Sequence, residues 1–307
     1  MKLTSLNYER HSYIGVVDAK WANPKQGRVL LLNKCPDWPG EIESLQKLIE
    51  RADECLPLAR KLIKGASDDF WHPLDEVKLC APIPQPVRNI LCLGWNYAEH
   101  AKESTVAKGL HIEDLPQHPI VFTKATTTVN GPFDDVIYDE RVSKRLDWEV
   151  ELGVVIGKRG RHIASQDAMN YVFGYTVIND ISARDLQKRH QQFFLGKSVD
   201  GTCPMGPWIV TADEINDAQN LRLRCFVNNT VKQDGSTTQQ IFPIAEVIST
   251  LSQVMTLLPG DIIATGTPSG VGFARTPPEF LMPGDVVECE IEGIGRIKNT
   301  IVQTTKA

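Results

Sequence analysis

The chain has 307 residues, 42% of them hydrophobic, which is enough for one large domain or two unequal ones with a substantial core. Its net charge of -5 and its scattered lysines and arginines argue against a nucleic-acid partner. None of the seven cysteines belongs to a Cys-x-x-Cys pair. No apolar run approaches the roughly 20 residues of a membrane span, and Met1 to Gly15 is too polar for a secretory signal. We therefore expect a cytoplasmic protein that binds neither membranes nor nucleic acid.

The sequence pattern of residues 1–75 predicts a small α/β domain. Residues 13–18 and 28–32 have the composition of two short strands separated by a polar turn. Seven apolar residues then recur every three or four positions and share one helical face: Ile42, Leu45, Ile49, Ala52, Leu56, Ala59 and Ile63. Pro57 is expected to kink or split this helix. A proline-rich run at residues 73–86 predicts an extended connection, so we place a second domain at residues 76–307.

Strands outnumber helices in residues 76–307. We predict strands at 89–93, 119–124, 148–156, 172–178, 208–211, 221–228, 261–265, 285–291 and 296–302, and helices at 98–108 and 247–257. Ser182 is expected to cap a further helix at 184–189. Because strands and helices do not alternate regularly, a doubly wound parallel sheet is disfavoured and the expected fold class is strand-rich α+β.

Two acids, Glu149 and Glu151, lie inside one of these predicted strands. Residues two apart in a strand point to the same face, about 7 Å apart along the chain, while Val150 and Leu152 take the other face. Like charges on a half-buried strand repel each other unless they stay solvated or share a cation. A divalent metal ion and an amphipathic edge strand with solvated acids both fit this pattern.

Asp180 follows another predicted strand and would complete a three-carboxylate site with Glu149 and Glu151. An all-oxygen set without His or Cys favours Mg²⁺, Mn²⁺ or Ca²⁺ over Zn²⁺ or Cu²⁺. The alternative is that Asp180 only caps the helix that follows it.

Two polar pairs lie three residues apart, as expected of neighbours on a helix face. Arg184 and Gln187 could hold a substrate carboxylate, and His100 and Glu103 could form a base that activates water. Exposed surface contacts would produce the same spacings.

Two glycine-containing segments could stabilise developing negative charge. Lys197 follows Gly196 and would supply an ammonium group, whereas the loop at 265–272 would supply backbone N–H groups. That loop lacks the Gly-x-x-x-x-Gly-Lys pattern of a nucleotide site, and a plain turn is the alternative.

Five segments, taken in order, closely resemble motifs of the fumarylacetoacetate hydrolase superfamily. They are residues 93–100 (LGWNYAEH), 148–153 (WEVELG), 179–185 (NDISARD), 196–198 (GKS) and 264–268 (ATGTP). The resemblance extends from about residue 86 to the C-terminus, and the preceding segment is similar to the small N-terminal domain of some members. Trp148 stands where the family usually has Tyr or Phe, and Val199 stands where it usually has Phe. Neither departure removes a charge or a ligand.

The resemblance implies a homodimer in which a mixed β-sheet roll forms the catalytic domain. It also implies Mg²⁺ or Mn²⁺ bound by the three acids, and roles for the residues that match family motifs. These are the metal ligands Glu149, Glu151 and Asp180, the water-activating dyad His100 and Glu103, the oxyanion-stabilising Lys197, and the substrate-binding Arg184, Gln187, Gly266 and Thr267.

The reaction expected first is hydrolysis of a carbon–carbon bond in an acylpyruvate-like 2,4-diketo acid, a small 2-oxo acid of the kind met in aromatic catabolism. The alternatives on the same site are decarboxylation or tautomerisation of oxaloacetate, isomerisation of a 2-hydroxyhepta-2,4-diene-1,7-dioate-type diacid, and dehydration of a sugar acid. A non-catalytic binding protein is least favoured, because no metal-binding acid and neither dyad residue is missing.

Overall fold

The computed structural model describes residues 1–107 and 115–304. Within these ranges the α-helices are α1 (Leu45–Glu50), α2 (Ala52–Gly65), α3 (Ala98–Ala107), α4 (Arg184–Arg189), α5 (Phe194–Lys197) and α6 (Ile244–Val254). The strands are β1 (Lys2–Tyr8), β2 (His11–Ala19), β3 (Gly27–Leu31), β4 (Trp71–Pro73), β5 (Lys78–Leu79), β6 (Ile90–Gly94), β7 (Ile120–Lys124), β8 (Val129–Asn130), β9 (Val136–Tyr138), β10 (Leu146–Asp147), β11 (Val150–Ile156), β12 (Val172–Asn179), β13 (Ser182–Ala183), β14 (Cys203–Thr211), β15 (Arg222–Val227), β16 (Thr230–Ser236), β17 (Ile262–Ala264), β18 (Val286–Ile291) and β19 (Gly295–Gln303). The strand-rich α+β class predicted from the sequence is confirmed.

The main sheet runs in the order β4-β3-β2-β1-β14-β12-β11-β17-β6-β7, with β5 added beside β1 and β8 beside β14. A second sheet has the order β16-β15-β18-β19-β9, and β10 pairs with β13 in a short ladder. Strand β1 pairs antiparallel with β14, with Leu3 opposite Ile209. The N-terminal strands are thus hydrogen-bonded into the sheet that carries β11 and β12, and the division at residue 75 stays a prediction.

Two apolar cores cover the two faces of the main sheet. One lies between the main and second sheets and includes Val150 and Leu152 of β11 with Val287 of β18. The other lies beneath α1 and α2 and includes Leu48 and Val155. Alternate residues of β11 therefore enter different cores, as the two-residue period of a strand requires.

The N-terminal helix is divided at a different residue from the one expected. The break lies at Arg51, while Pro57 lies inside α2. Arg51 leaves helical geometry and donates hydrogen bonds to Glu41 (3.0 Å) and Glu54 (2.5 Å), which stabilises the turn between α1 and α2.

Strand β11 lies between β12 and β17 and is not an edge strand. Glu149, just before it, is 4% exposed and Glu151 is 1% exposed, so the alternative of two solvated acids is wrong. The predicted cap of α4 is also wrong: Ser182 belongs to β13 and donates a hydrogen bond to the carbonyl oxygen of Asp180 (3.0 Å). Its pairing with Asp147 across the β10–β13 ladder keeps it outside the capping position.

No helix among the described residues is long and apolar enough to cross a membrane.

Candidate active site

Three buried carboxylates meet where β11 begins and β12 ends. The antiparallel register places Val150 opposite Asn179, and the N–H of Asp180 donates to the carbonyl oxygen of Glu149 (2.9 Å). Glu149, Glu151 and Asp180 each offer a carboxylate oxygen within 4.8 Å of the others. The three acids selected from the sequence therefore form one cluster.

A buried lysine joins two of these carboxylates. The ammonium of Lys197, from α5, donates to Glu149 Oε2 and to Asp180 Oδ2, both at 2.6 Å. Burial favours the neutral amine, but the adjacent carboxylates of Asp180 and Glu149 outweigh it and raise the pKa of Lys197. Lys197 is therefore a charged group inside the acidic cluster.

Arg184, at the start of α4, forms a second cationic contact. Its Nε donates to Asp147 Oδ2 (2.8 Å), its Nη2 to Glu149 Oε1 (2.6 Å) and its Nη1 to Gln187 Oε1 (3.2 Å). Burial acts to raise the pKa of Glu149, but the Lys197 and Arg184 cations bring it down to about 2. Three of the five N–H groups of Arg184 are therefore already bonded to protein acceptors.

Lys124, at the end of β7, approaches Asp180 from the other side. Its ammonium lies 2.8 Å from Asp180 Oδ1 and donates a hydrogen bond to the carbonyl oxygen of Ile181 (3.0 Å). The direction of approach gives Asp180 Oδ1 an ionic neighbour but no hydrogen bond, so this buried oxygen keeps an unused lone pair.

Glu151 forms no ion pair with any lysine or arginine among the described residues, and Oε2 accepts a hydrogen bond from the N–H of Gly266 (2.8 Å). Burial, and then the charges of Asp180 and Glu149, raise its pKa well above the usual range.

Four buried carboxylates, including Asp147, face three cations, Lys124, Arg184 and Lys197. One negative charge is left unbalanced. A divalent cation fits this cluster, because it would neutralise Glu151 and use the unbonded oxygen of Asp180 within an all-oxygen donor set.

His100 and Glu103 form the pair that their spacing on α3 predicts. His100 Nδ1 lies 2.9 Å from Glu103 Oε1, and both oxygens of Glu103 accept from the N–H of Gly270 (3.1 and 2.9 Å). Because an ionised carboxylate can only accept, this contact places the hydrogen of a neutral imidazole on Nδ1 and leaves Nε2 as the acceptor. The surface-contact alternative is wrong for His100, which is 6% exposed.

One cavity brings most of the selected residues together. It is lined by His100, Glu149, Glu151, Arg184, Gln187, Lys197 and Thr267, and also by Leu93, Gly94, Trp95, Ser104, Phe122, Phe193 and Phe273. Glu103, Asp180 and Gly266 do not line it but contact residues that do, namely His100, Lys197 and Glu151.

The hydroxyl of Thr267 is already engaged within the protein. It donates to the carbonyl oxygen of Val150 (2.9 Å) and accepts from the side-chain amide of Gln233 (2.7 Å). Gln233 also accepts from the N–H of Val150 (3.0 Å) and donates to the carbonyl oxygen of Pro268 (2.8 Å). This fully buried glutamine fixes the glycine-containing loop against the start of β11.

Sequence reasoning missed Lys124, Asp147 and Gln233. Asp147 receives hydrogen bonds from the N–H groups of Gly272 (2.7 Å) and Phe273 (3.0 Å) as well as from Arg184. It stands two residues before Glu149, so the two-residue spacing that identified the other acids could have revealed it. Lys124 had a weaker signal, a single cation ending a run of apolar residues, and Gln233 had none.

Comparisons with known proteins agree with this architecture. The family model described as "Fumarylacetoacetate (FAA) hydrolase C-terminal" matches residues 89–302. Over 264 residues the chain is 49% identical to oxaloacetate tautomerase YisK of Bacillus subtilis (strain 168), covering 84% of this chain and 86% of that protein. Over 262 residues it is 42% identical to the mitochondrial oxaloacetate tautomerase FAHD2A of Homo sapiens, covering 85% and 80%.

A solved structure extends the similarity across the whole chain. The fumarylacetoacetate hydrolase of psychrophilic Exiguobacterium antarcticum has a TM-score of 0.82 and 37% identity, with 99% of this chain and 100% of that chain covered. Together with the match at residues 89–302, this shows that the chain belongs to the fumarylacetoacetate hydrolase family.

Proposed function

We propose that this protein is a divalent-metal-dependent tautomerase that interconverts the keto and enol forms of oxaloacetate. The observation that carries the proposal is its identity of 49% and 42%, over most of each chain, with two proteins named oxaloacetate tautomerases. This supports one of the alternatives considered from the sequence more strongly than the hydrolysis expected first.

Glu149, Glu151 and Asp180 would hold Mg²⁺ or Mn²⁺. Ca²⁺ is a further candidate, because it also prefers oxygen ligands. When bound, the ion supplies Lewis-acid polarisation of a 2-oxo acid and fixes its orientation. The ammonium of Lys197 already lies among these carboxylates, and a positive charge there favours negative charge developing on the 2-oxygen of the substrate.

His100 is the proposed proton carrier. Tautomerisation moves one proton between C3 and the 2-oxygen, so a single group that accepts it and returns it is sufficient. With Nδ1 held by Glu103, Nε2 of His100 can take the proton from C3 of the keto form and deliver it to the 2-oxygen. Glu103 itself is fixed by the N–H of Gly270, so this contact orients the imidazole ring.

Arg184, Gln187 and Thr267 line the cavity and are proposed to position the substrate. Arg184 has two N–H groups beyond those bonded to Asp147, Glu149 and Gln187. The Thr267 hydroxyl is engaged within the protein, so we expect Thr267 to act mainly by shaping the loop that also presents Gly266.

The test is to follow the ultraviolet absorbance of enol oxaloacetate as it relaxes to the keto form, with Mg²⁺ or Mn²⁺ and with or without protein. We expect the protein to accelerate relaxation beyond the metal alone, while a coupled lactate dehydrogenase assay detects no matching release of pyruvate. Pyruvate release at the same rate would contradict tautomerisation and indicate decarboxylation.

Hydrolysis of a 2,4-diketo acid is the second candidate, because a histidine oriented by a half-buried carboxylate also suits activation of water. Acetylpyruvate in the same coupled assay separates the two: its hydrolysis releases pyruvate, whereas a tautomerase leaves the carbon chain intact. A homodimer remains a proposal from the family resemblance, which sedimentation equilibrium of the purified chain would test.

A further inference from the structure

A second recess opens beside the catalytic cavity. The two share Arg184, Gln187, Phe193 and Phe273 as lining residues, and the recess is the larger, with a cavity volume of about 590 Å³ against about 30 Å³. A ligand bound at the carboxylate cluster could therefore extend past Arg184 into the recess without crossing the protein interior.

The wall of the recess is cationic. Arg145 and Lys188 line it, and none of its lining residues in the described part of the chain is an aspartate or a glutamate. Neither side chain forms an ion pair with an acid of the described chain, in contrast to Arg184, which is bonded to Asp147 and Glu149. Among residues 1–107 and 115–304, the two cations thus have no acidic partner beside the recess.

The backbone fixes these cations relative to the catalytic cavity. The β10–β13 ladder pairs Leu146 with Ala183, and the N–H of Arg184 donates to the carbonyl oxygen of Arg145 (3.0 Å). Lys188 lies four residues after Arg184 on α4, and this spacing places both on the same side of a helix.

Aromatic rings support both guanidinium groups. Arg184 lies 4.4 Å from the ring centroid of Phe273, and Arg145 lies 5.6 Å from that of Phe280. Such a cation–π contact attracts the guanidinium without using its N–H groups as hydrogen-bond donors. The N–H groups of Arg184 bind protein carboxylates, whereas Arg145 lines the recess and pairs with no carboxylate of the described residues.

We propose that Arg145 and Lys188 form a subsite for the second carboxylate of a 2-oxo dicarboxylate, and that they make the protein selective for such dianions over 2-oxo monocarboxylates. The assignment of the 2-oxo end to the carboxylate cluster rests on the proposed function. The subsite adds what that function leaves open, namely the residues that recognise the other end of the substrate.

The experiment compares two five-carbon ligands that differ only at the far end: 2-oxoglutarate, with a terminal carboxylate, and 2-oxopentanoate, with a methyl group. Binding is measured by calorimetry on the full chain with Mg²⁺. We expect tighter binding of 2-oxoglutarate, a loss of about tenfold in its affinity in the Arg145→Gln, Lys188→Gln double variant, and a change below about twofold for 2-oxopentanoate, since a charge-assisted hydrogen bond contributes on this scale.

The matched control is the Lys144→Gln, Arg189→Gln double variant, which removes the same charge one residue away from each proposed position. Neither residue lines the recess, and Lys144 pairs with Glu140. The ratio of the two affinities should stay as in the unmodified protein. An unchanged ratio in the Arg145, Lys188 variant, or an equal loss in the control, would overturn the subsite.

Turnover of oxaloacetate by the same proteins separates this proposal from the proposed function. If the unmodified protein does not act on oxaloacetate but its preference for 2-oxoglutarate disappears in the Arg145, Lys188 variant, the proposed function fails and the subsite stands. If oxaloacetate is turned over with equal kcat/KM in both proteins, the function stands and the subsite is wrong.

Discussion

Glu151→Gln should stabilise the metal-free protein and at the same time abolish its response to metal. Glu151 is the carboxylate of the cluster without an ion-pair partner, and it lies within 4.8 Å of two other acids. At an effective dielectric constant of 20, two like charges at that distance repel by about 3.5 kcal/mol. Lys197, 2.6 Å from both neighbouring acids, offsets most of this. We therefore expect the amide to raise the free energy of unfolding by about 1–2 kcal/mol and Tm by about 2–5 °C.

The stabilisation of the metal-free protein by Glu151→Gln should depend on pH in a defined direction. The folded state raises the pKa of Glu151 above its ordinary value of 4.5, so between these values the folded protein binds a proton that the unfolded chain releases. Without metal, the contribution of Glu151 to stability is fully present below pH 4.5 and is lost as the pH rises through the raised pKa. The stability gain of Glu151→Gln should consequently grow as the pH increases.

Thermal unfolding in EDTA, and then with Mn²⁺ or Mg²⁺, measures both effects. The unmodified protein should gain Tm on metal addition, as linkage requires, and Glu151→Gln should not. Glu288→Gln is the matched control: this glutamate is also buried but pairs with Arg296 and Lys298, so its amide variant should lose stability and keep the metal response. A lower Tm for Glu151→Gln in EDTA, or an intact metal response, would refute the reasoning.

Three further substitutions examine the rest of the site. His100→Ala should lower the rate of oxaloacetate tautomerisation by about 10² or more while keeping the rise in Tm with metal, and full activity would exclude His100 as the proton carrier. Arg184→Lys should lower kcat/KM for oxaloacetate by about tenfold, because an ammonium cannot span Asp147 and Glu149 as the guanidinium does; unaltered kinetics would show that the double contact is dispensable. Lys124→Met should lower the free energy of unfolding in urea by about 1–3 kcal/mol, since it leaves Asp180 Oδ1 without its ionic neighbour while Lys197 still pairs with Oδ2, and should cost less in an Asp180→Asn background; equal costs in both backgrounds would argue against the pair.

The acidic cluster could be predicted because its signals are local. Glu149 and Glu151 share a face through the two-residue period of the strand, and Asp180 directly follows a strand that β11 pairs with. His100 and Glu103 are neighbours on one helix turn. Burial of these groups had no local signal, since it depends on β17 lying beside β11 and on loops from elsewhere in the chain.

Contacts between residues distant in the chain could not be predicted from the sequence for the same reason. Lys124 reaches Asp180 only because β7 and β12 belong to one sheet, and Gln233 fixes Thr267 from a strand of the other sheet. Strand β16 itself was missed, since its residues are mostly polar and half exposed. Asn228 and Asn229, both with positive φ between β15 and β16, are typical of a hairpin turn and were the available signal.

The pairing of β1 with β14 has a consequence for how the chain is made. Leu3 meets its partner Ile209 about 200 residues later in the chain, and β2 and β3 follow β1 immediately. At roughly 5–20 residues per second of ribosomal synthesis, the N-terminal hairpin waits about 10–40 s before β14 emerges. During that interval the Lys2 and Leu3 end of β1, which β5 does not cover, offers an unpaired edge that a second nascent chain could join. Dense polysomes should therefore favour aggregation of this protein, and slower initiation or a chaperone that covers strand edges should increase its soluble yield.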